Sequence, residues 1–158
     1  FRMFGKMHGQ RVEVRGDLAY DFTLVRDSSV RGTDPDISAM ATLSDSLVAV
    51  LVWNYHDLNE IRPASAVKIH LSEIPFSQAT MIHYRVGLQH SNSYEVWKKM
   101  GSPQDPTEFQ YRELENAGKL QLFGEPEPLI IDHGQLSIPL ELGGQEVSLL
   151  LIRKTPKP

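Results

Sequence analysis

Acidic side chains are the first residues to weigh for chemistry, because two carboxyl groups held at a fixed separation can protonate and attack a glycosidic bond. Asp57, Glu60 and Glu73 fall in or near loops, where a catalytic carboxylate could sit. Glu95 and Glu108 stand three residues behind candidate helix caps, and capping already accounts for them. No pair is singled out, so no residue of the chain is read as catalytic. The six histidines, His8, His56, His70, His83, His90 and His133, never form a His-x-x-x-His pair, and no metal site is read from them. Cysteine is absent, which excludes disulfides, thiolate ligands and a cysteine nucleophile. No serine lies in a Gly-x-Ser-x-Gly elbow, and no glycine-rich phosphate loop occurs, so no cofactor is implied. Trp53, Tyr55, Tyr94 and Trp97 offer aromatic faces of the kind that stack on pyranose rings, and Trp53 and Trp97 are the platform candidates. Trp53 lies in a strand that is apolar on both faces and Trp97 on the apolar stripe of a helix, and core packing is the favoured reading of both.

These residues must be positioned by elements whose periods can be read. Arg11 to Arg15 alternate as a half-buried strand does, Phe22 to Val25 form a weaker apolar segment, and Asp27 to Asp36 collect loop formers. Ile37 to Leu43 and Leu47 to Tyr55 flank Ser44-Asp45-Ser46 as a hairpin. Val48, Val50 and Val52 share one face of the second strand and Leu47, Ala49, Leu51 and Trp53 the other, which places it centrally in its sheet. Ala66 to Leu71 and Thr80 to Val86 continue the strand pattern.

The period then becomes helical. Asn92 caps a helix carrying Tyr94, Trp97 and Met100, and Asp105-Pro106-Thr107-Glu108 starts a second, with Asp105 as cap, that Gly118 ends. Leu120 to Phe123 and Leu129 to Ile131 are short strands. Leu136 to Leu142 and Val147 to Ile152 read as a closing hairpin, with Gly143-Gly144 supplying positive φ and Pro139 marking an edge. Eight or nine strands without strand-helix alternation give a mainly β fold, an antiparallel β-sandwich with a short two-helix insertion. Residues 1–9 read as the end of a helix from a preceding domain, 10–153 as the sandwich with its insertion at about 92–118, and 154–158 as a tail.

At 158 residues and 41% hydrophobic content, the chain is sized for one core. A net charge of -4, with lysine and arginine scattered among acids, provides no basic stripe for nucleic acid. No apolar run approaches the roughly 20 residues that cross a bilayer. The compartment stays open between cytoplasm, periplasm and secretion.

Four segments together resemble a known family: Leu51-Val52-Trp53-Asn54-Tyr55-His56-Asp57 with Val67 to Leu71, then His83-Tyr84-Arg85-Val86, then His90 through Trp97 to Gly101-Ser102-Pro103. They are similar to the carboxy-terminal part of glycoside hydrolase family 39, which includes β-xylosidases and α-L-iduronidase. The stretch from Tyr94 to Phe109 is the most specific piece. The resemblance implies that residues 1–9 end the last helix of a catalytic (β/α)8 barrel, and that the acid/base and nucleophilic glutamates belong to that barrel. It also implies a sandwich that packs on the barrel and lends a loop to the rim of the substrate pocket, with His90 and Asn92 as rim candidates. The partners expected are the barrel of the same polypeptide and, through it, a xylo-oligosaccharide or another glycoside. Two other readings compete: a carbohydrate-binding module built on the aromatic residues, and a protein-interaction domain.

Overall fold

The computed structural model describes residues 1–58, 60 and 62–156. Strand β1 (Gln10–Val12) opens a seven-stranded sheet that runs on through β2 (Asp36–Leu43), β3 (Leu47–Tyr55), β9 (Val147–Lys154) and β5 (Gln78–Val86). The far side of β5 pairs at one end with β6 (Gln121–Leu122) and at the other with β7 (Glu127–Ile130). A second sheet has two strands, β4 (Ser65–Leu71) and β8 (Leu136–Leu142). Every pairing is antiparallel. Helix α1 (Phe22–Ser28) lies between β1 and β2 in the chain, and α2 (Ser93–Lys99) and α3 (Glu108–Ala117) lie between β5 and β6. The architecture is the antiparallel sandwich with a two-helix insertion that the periodicities indicate.

Its centre is the pair β3 and β9. Leu47 to Val52 are buried one after another, as are Ser148 to Ile152, so both strands have apolar neighbours above and below. Toward the small sheet, Val48, Val50, Leu150 and Ile152 meet Ile138, while Val52 and Ile37 meet Leu140 and Leu142. On the opposite face, Leu47, Ala49, Leu51, Leu149 and Leu151 are covered by Met3 and Met7, which flank a 3-10 turn at Phe4–Lys6. The helical end expected at residues 1–9 is therefore a short 3-10 turn, and its buried Met3 makes it part of this core.

The link at Ser44-Asp45-Ser46 joins β2 to β3 as read from the sequence, and Ser46 accepts a hydrogen bond from the Lys154 amide at 2.9 Å. Lys154 thus ends β9 and is not part of a free tail, and Thr155 N donates to Gln78 O at 3.0 Å. The rest of the expected tail, Lys157 and Pro158, lies outside the described residues.

Three expectations are corrected. The closing hairpin does not form: β8 pairs with β4 in the small sheet, while β9 inserts between β3 and β5. A strand that is apolar on both faces needs a neighbour on each side, whereas β8 has one apolar face and a proline that suits an edge. Residues 143–146 therefore cross from one sheet to the other, and Gln145, not Gly143 or Gly144, takes the positive φ of 60°. Second, Thr107 caps α3 in place of Asp105. Its hydroxyl accepts from Gln110 N at 3.3 Å while the Gln110 side chain accepts from Thr107 N at 2.9 Å. The apolar segment at Phe22, for which the sequence indicates no element, is helical, because the Asp21 carboxylate accepts from Thr23 N at 2.8 Å and caps it. Finally, β1 stops at Val12, short of the alternation read to Arg15.

Leu150 is wholly buried between the sheets. Leu150→Ala is expected to lower the unfolding free energy by about 2–5 kcal/mol, measured by urea denaturation.

Candidate functional site

The inward faces of β5 and β9 carry polar residues in an otherwise apolar layer. Arg85 and Ser148 are directly opposed across the strand pair, and His83 projects to the same side of β5. Arg85 is 7% exposed. Its Nε donates to Ser148 Oγ at 3.1 Å, one Nη donates to the Glu141 carbonyl at 2.8 Å, and the other lies 3.5 Å from the Glu146 carboxylate. Glu146 in turn accepts from Gly143 N at 2.8 Å, so the crossing between the sheets is tied to the guanidinium. The ring of Phe123 lies 3.8 Å beneath that guanidinium and is also contacted by the rings of His83 and His90. A cation with an aromatic face, a carboxylate and two hydrogen-bond acceptors around it has compensation for its lost water.

His83 Nε2 lies 2.9 Å from Ser148 Oγ. This pairing has the outline of a nucleophile and its base, but Ser148 is 0% exposed and its oxygen already receives the Arg85 donor. No substrate atom can reach it, and the cluster is structural. Burial first, then the charges of Arg85 and His90, push the His83 pKa from 6.5 down to about 4.

Asp57, one of the weighed carboxylates, holds two loops together. One oxygen accepts from Val30 N at 2.8 Å and the other from the Tyr55 hydroxyl at 2.8 Å, while Asp57 N donates to Val30 O at 2.9 Å. The Tyr55 hydrogen bond is the main reason its pKa lies below the usual carboxylate value. His56 beside it is buried: Nδ1 accepts from Leu58 N at 3.1 Å, and Nε2 faces Gly32 O at 3.3 Å. Glu60 lines an open cleft of about 360 Å³ with Tyr55, His56 and Arg62. Glu73 stands in a turn at φ 59°. Glu95 pairs with Lys98 at 2.6 Å, and Glu108 pairs with Arg112.

Both groups of the Asn92 side chain are engaged. Its oxygen accepts from Glu95 N at 3.2 Å, which caps α2, and its amide donates to Gly87 O at 2.9 Å. His90 accepts from Gly87 N through its carbonyl at 3.0 Å and sets its ring against Phe123. Asn92 also lines a second cleft of about 280 Å³ with Ser91, Glu95, Lys99 and Gln121. Trp53 is half-buried in the outer core against Leu51 and Val147. Trp97 lies on α2, donates its indole N–H to Pro103 O at 2.9 Å, and stacks on Tyr94 with ring centres 5.7 Å apart. Trp97 and Tyr94 are thus brought together, while Trp53 belongs to a different layer.

Sequence reading missed the Arg85 cluster. Its signals were Ser148 inside an apolar run and Arg85 at an inward strand position, legible only once β5 and β9 are known neighbours. The unfolded chain protonates His83 near pH 6.5, but the folded chain resists until about 4. Unfolding therefore takes up a proton in this window, and stability falls as pH drops through it. The stability advantage of the parent over His83→Gln is expected to shrink by about 1–2 kcal/mol from pH 7 to pH 4, the partly open ring limiting the effect. Denaturant titrations at stepped pH measure it.

No protein-family model matches the sequence. No curated protein matches it either. Solved structures do share its fold. A monomeric β-xylosidase from Caulobacter crescentus CB15 superimposes with a TM-score of 0.71 at 16% identity, over 98% of this chain and 30% of that one. The family 39 glycoside hydrolase from Xanthomonas axonopodis pv. citri gives 0.64 at 17% identity, over 74% and 26%. A bacterial orthologue of human α-L-iduronidase gives 0.60 at 19% identity, over 78% and 23%. The chain spans about a quarter to a third of the length of these enzymes, and its fold is that of one part of a family 39 glycoside hydrolase.

Proposed function

We propose that this chain is the accessory β-sandwich of a retaining glycoside hydrolase of β-xylosidase type, and that it packs on and stabilises a catalytic (β/α)8 barrel in the same polypeptide. The observation that carries this reading is the match of 98% of the chain to only 30% of a β-xylosidase, which leaves room in such an enzyme for a much larger domain. The carboxylates add support, since Asp57, Glu95 and Glu108 have local partners that occupy them. A retaining pair of carboxyl groups stands about 5 Å apart with a sugar between them, and groups held as these are do not supply one.

The alternative, a carbohydrate-binding module, is favoured by a different observation. Tyr94 is 54% exposed, stacks on Trp97, whose indole is fixed by Pro103, and has the Lys98 ammonium 5.0 Å from its ring centre, so a braced aromatic side chain with a cation beside it meets solvent.

The full polypeptide is expected to release the chromophore from an aryl β-xyloside, and this chain alone is not. Turnover by the isolated chain that Asp57→Asn or Glu60→Gln abolishes overturns the accessory reading. Calorimetric titration with xylo-oligosaccharides tests the alternative: heat of binding that Tyr94→Ala reduces at least about tenfold, with the melting temperature kept, transfers the assignment to a binding module.

A further inference from the structure

Helix α1 has seven residues, and none is buried. Phe22 is 76% exposed, Leu24 46% and Val25 36%. At about 100° per residue these three side chains and Ser28 fill one arc of about 160°, while Thr23, Arg26 and Asp27 fill the other. An amphipathic helix ordinarily turns such an apolar arc onto its own core. Here it packs extensively against no strand or other helix among the described residues. A helix this short is also marginal in water without packing.

The fold nevertheless fixes both ends of the excursion. At the entry, Tyr20 N donates to the Asp36 carboxylate at 2.8 Å, Tyr20 OH donates to Asp34 O at 3.0 Å, and Ile37 N donates to Leu18 O at 3.0 Å. At the exit, the buried Val30 exchanges two hydrogen bonds with Asp57, itself held by the Tyr55 hydroxyl. Gly32 lies against the Tyr20 hydroxyl, to which a Cβ at that position would come within 2.5 Å. A segment pinned at both ends, with a capped helix holding its apolar side outward, is built to present that side.

The geometry points to the Phe22, Leu24 and Val25 face of α1 as the surface that docks on the larger catalytic domain of the same polypeptide. This rests on the accessory reading above and names the contact through which it acts. The occupant follows from the accessory reading: in the similar enzymes this fold accounts for 26% and 30% of the chain, and a larger domain joined to it in the same polypeptide meets this face at high effective concentration.

The test uses the full polypeptide and follows loss of glycosidase activity on heating. Phe22→Ser with Val25→Ser is expected to speed inactivation by about tenfold while leaving kcat/KM at 25 °C unchanged. Arg26→Ala with Asp27→Ala, on the polar arc, is expected to stay within about twofold. Amide hydrogen exchange of 22–28 is expected to be slow in the full polypeptide and fast in the isolated chain. Inactivation of the apolar-face variant at the parental rate, or fast exchange of 22–28 in the full polypeptide, overturns the docking face. Loss of mass by light scattering in that variant, with parental inactivation, makes the occupant a second copy and also overturns it. Deletion of the whole chain separates the two ideas. If deletion leaves inactivation unchanged, the accessory role itself fails; if deletion speeds inactivation and the apolar-face variant does not, only the docking face fails.

Discussion

Strands β3 and β9 lie side by side with apolar side chains on both faces, and neither can be left uncovered. Toward one face this requirement brings in the small sheet of β4 and β8, whose Ile138, Leu140 and Leu142 alternate inward. Toward the other it brings in Met3 and Met7. The two layers and the docked 3-10 turn all answer the need to keep these central strands dry, at roughly 25 cal/mol for each Å² of apolar surface removed from water. Two of the buried polar residues, Arg85 and Ser148, are strand neighbours beside the crossing at 143–146, where Ser148 Oγ and the Glu141 carbonyl accept from the guanidinium and the Glu146 carboxylate stands 3.5 Å away.

The hairpin of β2 and β3 was legible because its signals are local: two strand periods, a polar link of three residues, and valines at 48, 50 and 52 against leucines at 47 and 51. The second apparent hairpin failed for a physical reason. Turn chemistry at Gly143-Gly144 says that the chain reverses, not that the reversed strand rejoins the one it left. The choice lay in burial: β9 has no polar face to give to solvent, so the large sheet took it. Likewise Asp105 and Thr107 are both competent caps two residues apart, and the reciprocal bond from Gln110 decides between them.

The candidate site was less legible than the fold. Arg85 and Ser148 are 63 residues apart, and their contact arises from a pairing that no local period announces. Asp57, weighed for catalysis, and His56 were visible as residue types in a loop, but their partners Val30 and Gly32 come from the far side of β2. Their chemistry is spent on holding loops. The resemblance in the segment from Leu51 to Pro103 pointed to the same sandwich as the strand periods did, but left the pairing of β8 and β9 undetermined.

The position of β9 bears on how the protein is made. The last strand in sequence occupies the middle of the large sheet, bonded to β3 on one side and β5 on the other. Until residues 147–154 leave the ribosome, β3 has its partner β2 and β5 its partners β6 and β7, but the edges that β3 and β5 turn toward each other have a gap between them. Completion of the large sheet therefore waits for this stretch and closes contacts of long sequence separation, the slow kind of folding in which unpaired strand edges stay exposed longest.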